Sequence, residues 1–202
     1  MKILAAGDIH GNVLTAKKLA DKAYREKVDL VVLAGDIVED DDKLPGVISP
    51  FLDKKKRVLF VPGNHESMAT ADFIADFYDI TNLHGYSIKY QNIGIFGCSG
   101  NNIGVNQLSE DEIFSLLKRG FEKVKDSKKT VMVTHVHPSN TKMGKLGHEL
   151  IREGSRGVKK AVEQFHPDIL ICSHVHEAQG IEERLGKTKI FNVGTEGKII
   201  EI

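Results

Sequence analysis

The chain has only two cysteines, Cys98 and Cys172, and both lie inside apolar runs. Two thiols cannot build a disulfide framework, and free cysteine in such a setting behaves as a small hydrophobe, so no bridge between them is expected. Neither sign of charge is in excess, Lys plus Arg and Asp plus Glu each numbering 28. A neutral balance offers no basic surface to hold nucleic acid through its phosphates alone, and nothing else in the sequence points to such a partner. No apolar stretch approaches the roughly 20 residues of a membrane helix. Met1 leads directly into a strand pattern without the charged and apolar segments of a secretory signal. A soluble, cytoplasmic protein without membrane contact is expected. Repeats, low-complexity tracts and linkers are also missing, and no feature addresses the oligomeric state. What remains, 202 residues of which 41% are apolar and 28% charged, suits one compact domain spanning 1–202.

Apolar runs that end in metal-binding side chains stand out. Ile3 to Ala6 precedes Asp8 and His10, Val31 to Ala34 precedes Asp36, Val58 to Val61 precedes Asn64, Val131 to Val133 precedes His135, and Ile169 to Ile171 precedes His174 and His176. Short β-branched runs read as buried strands, so these donors gather at one edge of a sheet. Asp8, Asp36 and Asn64 are separated by 28 residues each time, close to the roughly 30 residues of a strand-helix-strand unit. Equivalent strand ends then lie side by side.

Strand 2–7 is followed by a helix over Val13–Lys27, and strand 29–35 by the acidic loop Glu39–Asp42 and a short helix over Val47–Leu52. Strand 57–61 meets the turn Pro62-Gly63-Asn64-His65, where glycine lets the backbone bend sharply. A helix over Met68–Phe77 comes next. Tyr86–Tyr90 and Ile93–Phe96 flank Gln91-Asn92 as a hairpin. The strongest helix signal has Ser109 as N-cap with Glu112 three residues on, and Ile113, Leu116, Leu117, Gly120, Phe121 and Val124 on one face. After strand 130–134, the segment 138–153 reads as a loop over the strand ends, Ser155 caps a helix with Val158, Ala161, Val162 and Phe165 on its stripe, and strand 168–172 follows. The stretch Gly180–Ile202 reads as two or three antiparallel strands completing a second sheet.

Asp8-x-His10 and His174-x-His176 each place two donors on the same side of an extended segment. Six or seven nitrogen and oxygen donors without cysteine exceed the needs of one tetrahedral zinc and suit two divalent ions roughly 3.5–4 Å apart sharing a carboxylate. Asp36, at the end of the middle strand, is the natural bridge.

Gly7-Asp8-Ile9-His10-Gly11-Asn12, Gly35-Asp36, Gly63-Asn64-His65-Glu66, Thr134-His135 and Ser173-His174-Val175-His176 resemble the ordered motifs of the calcineurin-like metallophosphoesterases, across nearly the entire chain. The resemblance implies an α/β fold of four layers, an α-β-β-α sandwich with two facing mixed sheets. It implies one metal on Asp8, His10, Asp36 and His176 and another on Asp36, Asn64, His135 and His174. It also implies that His65 binds no metal and contacts the reacting phosphate, with Asn64 and His65 as substrate contacts and His65 and Asp36 as catalytic residues. His137, two residues after His135 and on the same face of an extended segment, is expected to line the phosphate site as a further substrate contact. Two divalent cations would neutralise phosphate oxygens and bring a bridging water to a pKa of about 7, giving hydroxide in line with phosphorus. His65, kept charged by the carboxylate of Glu39 or Asp40, would assist the leaving group. The mixed carboxylate, amide and imidazole donors favour Mn, with Fe, Ni, Co and Zn compatible.

The chain departs from the Ser/Thr protein phosphatase branch, which has Asp-Arg-Gly after its Gly-Asp where this chain continues Gly35-Asp36-Ile37-Val38-Glu39-Asp40-Asp41, so it resembles the small prokaryotic phosphoesterases and a small phosphate ester is the expected substrate. Ser173 stands where glycine is usual. An inactive scaffold that keeps the fold is the alternative, and intact His65 argues against it. A dinucleotide-binding reading fails because the first turn lacks G-x-G-x-x-G spacing. His84, His148 and His166 read as surface residues. Lys142, Lys145, Arg152 and Arg156 could serve substrate near the opening, and Asn12 could bond to the ligands.

Overall fold

The computed structural model describes residues 1–39, 46–149 and 153–202. Asp40 to Asp42 and Pro45 of the acidic loop, and Arg152, lie outside them. The first strands alternate with helices: β1 (Lys2–Ala6), α1 (Val13–Arg25), β2 (Leu30–Ala34), α2 (Ser49–Asp53), β3 (Val58–Val61), α3 (Met68–Tyr78) and β4 (Thr81–Asn82). Next come β5 (Tyr86–Tyr90), β6 (Ile93–Gly97), α4 (Glu110–Glu122), β7 (Lys129–Val133), α5 (Arg156–Phe165) and β8 (Ile169–Cys172). The chain finishes with β9 (Glu182–Leu185), β10 (Thr188–Asn192) and β11 (Lys198–Glu201).

The strands form two mixed sheets, ordered β11-β1-β2-β3-β4 and β5-β6-β7-β8-β10-β9. In the first, β1, β2, β3 and β4 are parallel, and in the second β6, β7, β8 and β10 are parallel. Parallel strands in register bring their C-terminal ends to one edge of each sheet. The hairpin β5–β6 is antiparallel, as its sequence predicts, with Tyr90 opposite Ile93. The C-terminal expectation needs correction: only β9–β10 is an antiparallel hairpin, β10 joins β8 in parallel, and β11 crosses to the first sheet to pair antiparallel with β1.

Period-two alternation divides the core into three apolar strata. Leu4, Ala6, Val31, Leu33, Val58 and Phe60 face α1, α2 and α3, while their neighbours Ile3, Ala5, Val32, Ala34, Leu59 and Val61 face the other sheet. There they meet Ile95, Val131, Val133, Ile169, Ile171 and Val193. On the far side of the second sheet Phe96, Met132, Leu170 and Ile190 pack against α4 and α5. The fold is therefore the four-layer α-β-β-α sandwich.

Helix ends follow local chemistry. Ser109 and Glu112 close a reciprocal capping box at α4, and Ser155 caps α5 by accepting from the Val158 amide. The side chain of Asn12 accepts from the Thr15 amide and caps α1, so it serves the helix rather than the site. Cys98 and Cys172 are free and buried. Among the described residues no helix is long and apolar enough to cross a membrane.

Candidate metal centre

The chain turns as it leaves β1, β2, β3, β7 and β8, and each turn carries polar side chains to the common edge of the two sheets. Asp8, Asp36 and Asn64 come from three neighbouring strands of the first sheet; His135 and His174 come from two neighbouring strands of the second. Ligand atoms of Asp8, His10 and His176 lie within 4.8 Å of one another, as do those of Asp36, His135 and His174, and those of His10, Asp36 and His65. Asn64 joins the second group through its Oδ1, 2.9 Å from His135 Nε2.

The extended geometry expected for Asp8-x-His10 and His174-x-His176 is not what brings these residues together. Asp8, His10, Asp36 and His174 have φ of 54°, 47°, 50° and 73°, a left-handed region that side chains adopt sparsely and that clusters at functional sites. Close approach of two turns adds a steric demand: a Cβ at Gly63 would overlap Oδ1 and the amide nitrogen of Asp36.

Asp36 lies between the groups. Its Oδ2 is 3.7 Å from His10 Nε2 and 3.3 Å from His135 Nε2, and its Oδ1 accepts the His65 amide at 3.1 Å. Asp8 Oδ2 is 3.7 Å from His176 Nε2. The side chain of His135 is fully buried whereas that of His176 is 61% exposed, so the cluster opens toward solvent on the His176 side.

Burial and charge set the protonation of the polypeptide alone. Burial raises the Asp8 pKa, outweighing the pull of His135. Burial also opposes ionisation of Asp36, but His135 and His65 hold its carboxyl below the usual range. His135 is pushed up to about 9, because the carboxylates of Asp36 and Asp8 overcome its desolvation. Burial and then His135 push His174 down to about 3. For His65, desolvation is outweighed by its bond to the Glu39 carbonyl and by the Asp36 charge, so its pKa is raised. The Glu39 carboxylate adds to that rise through its charge, as expected, although its direct contact is with His10 Nδ1 at 2.9 Å; His65 Nδ1 itself contacts the Glu39 main-chain oxygen at 2.9 Å, and Asp40 lies outside the described residues.

Other residues divide. His137 is buried. Its imidazole is close enough to depress His174, but it belongs to none of the three ligand groups found among the described residues. His84 is buried rather than on the surface, its Nδ1 accepting the Ser99 amide at 3.2 Å because the chain folds it under Ser99. His148, exposed, pairs with Glu177 at 3.1 Å, and His166 forms the exposed left-handed end of α5. The Lys142 amide bonds to Glu183 on β9, which anchors this part of the 138–153 segment on the second sheet, where Met143 enters the apolar layer beneath α5. Arg156 starts α5, and Lys145 is exposed.

Glu66 was not singled out by the sequence. It is fully buried, its Oε2 accepting from the amides of Asp36 at 3.1 Å and Gly63 at 2.6 Å and its Oε1 from Val38 at 2.9 Å. One carboxylate thus ties together the turns after β2 and β3. The available signal was an acidic residue directly after a tight Gly-Asn-His turn, where tethering of loop amides is a ready use.

Donors of this kind, nitrogen and oxygen without sulfur and gathered in overlapping groups, fit hard to borderline divalent ions. Metal-dependent hydrolysis is the chemistry such a centre serves. The model of the calcineurin-like phosphoesterases matches residues 1–178, and the chain belongs to that family of metal-dependent phosphoric ester hydrolases. It is 29% identical to an uncharacterized protein of Methanocaldococcus jannaschii over 205 residues, covering 95% of this chain and 87% of the relative. Among solved structures it resembles a Thermus thermophilus protein with a TM-score of 0.75 at 16% identity, covering 96% of this chain and 88% of that one. A dimetal phosphatase from Danio rerio superposes with a TM-score of 0.60 at 14% identity, again over 96% and 88%.

Proposed function

We propose that the protein hydrolyses a small phosphomonoester or phosphodiester at a centre of two divalent cations, one held by Asp8, His10, Asp36 and His176 and the other by Asp36, Asn64, His135 and His174. The observation that carries this reading is the convergence of donor groups within 4.8 Å at the edge shared by both sheets. The description of the Danio rerio neighbour as a dimetal phosphatase supports the same nuclearity. Mn suits the mixed donor set best, with Fe, Ni, Co and Zn compatible.

When bound, such ions neutralise phosphate oxygens and make water nucleophilic near neutral pH. Asp36 faces both donor groups through Oδ2 while its Oδ1 is fixed by the His65 amide. His65 must donate through Nδ1 to the Glu39 carbonyl, which can only accept, and this leaves Nε2 as the ring nitrogen free to serve substrate. Its ring centroid is 4.8 Å from that of His10. Outweighing desolvation, its bond to the Glu39 carbonyl and the nearby Asp36 charge raise its pKa and favour imidazolium, the form that would supply a proton from Nε2 to a departing alkoxide. A positioned acid of this kind contributes about 10²–10⁴ in rate.

The test strips the protein with chelator, restores Mn, Fe, Ni, Co or Zn singly, and assays p-nitrophenyl phosphate and bis-p-nitrophenyl phosphate with wild type and His65→Ala. Metal-dependent turnover that falls about 10²-fold or more in the variant, with metal uptake retained, is expected. Metal uptake without turnover under every condition would establish a scaffold instead, and turnover indifferent to His65→Ala would remove that residue from the mechanism.

A further inference from the structure

Ser173 stands where the resemblance leads one to expect glycine, and its hydroxyl is fully buried at the seam between the sheets. Oγ lies 2.6 Å from Asp8 Oδ2 and 2.7 Å from the carbonyl oxygen of Val193, and can donate to either. The Ser173 amide donates to the His135 carbonyl at 2.9 Å, and the next amide, His174, approaches Asp8 Oδ1 at 3.4 Å. Residues 173 and 174, in the turn after β8 of the second sheet, thus contact both oxygens of a carboxylate in the turn after β1 of the first.

Gly7 completes the arrangement. A Cβ at position 7 would lie 2.5 Å from Ser173 Oγ and 2.8 Å from Ser173 Cβ. Room for the serine exists only because the residue before Asp8 has no side chain, so Gly7 and Ser173 are a matched pair.

We propose that Ser173 is a positioning residue for Asp8, holding Oδ2 so that the carboxylate faces His10 and His176 and favouring a divalent cation there. The inference rests on the two-cation reading above. Outer hydrogen bonds to ligating side chains orient them, and their loss typically lowers metal affinity 10–100-fold. The distinguishing feature is selectivity: Ser173 touches Asp8 by its hydroxyl, whereas Asp36, Asn64 and His174 receive no bond from that hydroxyl among the described residues.

The experiment titrates chelator-treated wild type, Ser173→Ala and Ser173→Gly with Mn²⁺ alone by calorimetry and records the electron paramagnetic resonance spectrum at each addition. Wild type should take up two ions and show an exchange-coupled pair. Ser173→Ala should lose affinity at one ion about 10–100-fold, keep the other within about threefold, and display an uncoupled manganese spectrum at concentrations that saturate wild type. Ser173→Gly guards against misfolding of the alanine variant, because a vacated hydroxyl position admits water to both acceptors; it should show the same selective loss, of smaller size. A merely structural role would weaken both ions together. Equal weakening of both, or wild-type affinities and a coupled spectrum in both variants, would overturn the role of Ser173 while leaving the metal centre standing. Failure of wild type itself to bind two ions would overturn the underlying reading and the inference with it.

Discussion

The Nδ1–H of His135 donates to the main-chain oxygen of Ala34 across 2.7 Å, joining the end of β7 to the end of β2. A carbonyl only accepts, so this contact fixes the tautomer and leaves Nε2 directed at Asn64 Oδ1, His174 Nδ1 and Asp36 Oδ2, at 2.9, 3.1 and 3.3 Å. In the polypeptide alone that ring is protonated up to about pH 9. A cation can use Nε2 only after the proton leaves. Loading with Mn²⁺ between pH 7 and 8 should therefore release about one proton, and affinity should climb about tenfold per pH unit up to about 9 before levelling. Calorimetry in buffers of different ionisation enthalpy measures the release. An affinity flat across this range would contradict the assignment.

Gly63→Ala should be among the most damaging substitutions in the chain, since the added methyl meets Asp36 backbone and carboxylate that have no room to retreat. A loss of about 3 kcal/mol in urea unfolding is expected, together with loss of Mn²⁺ uptake. Gly46→Ala, whose Cβ would meet, among the described residues, only Ser49 Oγ at 3.7 Å, should stay within about 0.5 kcal/mol of wild type.

Glu66→Gln preserves shape but turns one acceptor into a donor facing an amide. At least one of the three bonds from Asp36, Val38 and Gly63 must be lost, costing about 1–3 kcal/mol. Because those amides set the turn that carries Asp36, Mn²⁺ affinity should fall about tenfold as well. Unchanged affinity in a folded variant would show that the turn holds without the tether.

His84 supplies a pH signature independent of metal. Burial first, then the Arg119 charge, push its pKa down to about 4 from 6.5. Between those values the unfolded chain binds a proton that the folded protein refuses, so stability is fully present above about pH 6.5 and drains away as pH falls toward 4. At about 1.4 kcal/mol per unit, the loss between pH 7 and 4.5 should be about 2 kcal/mol. His84→Asn, which can still accept the Ser99 amide but does not titrate, should show none of this component. Urea midpoints of both chelator-treated proteins across the range measure the difference, and parallel curves would refute it.

Much of the architecture was legible because it is local. Runs such as Leu30–Ala34 are apolar at every residue, as strands buried on both faces must be, and the Ser109–Glu112 box marks the start of α4 without any tertiary knowledge. The two residues of β4 carry no periodicity, so only their neighbour β3 reveals them. The destination of β11 depends on sheet closure between the first and last strands, which no local pattern encodes. The same division holds at the site. Residue types at strand ends announced Asp8, Asp36, Asn64, His135 and His174, but the left-handed backbone that aims four of the proposed ligands was hidden. Contacts between segments distant in sequence, such as Glu39 to His10, and the burial of His84 needed three-dimensional packing to appear.

The donors are shared between two sheets that, among the described residues, are joined by no common ladder. Their relative placement is maintained by the hydrocarbon sandwiched between the sheets, including Val32, Ala34, Val133 and Ile171, with a few polar bridges at the rim. Fine alignment of the most hydrophilic corner of the molecule is thus inherited from its oiliest stratum. Trimming a methyl group there, many bonds from any charge, would act as a shim removed from beneath one jaw of a vice.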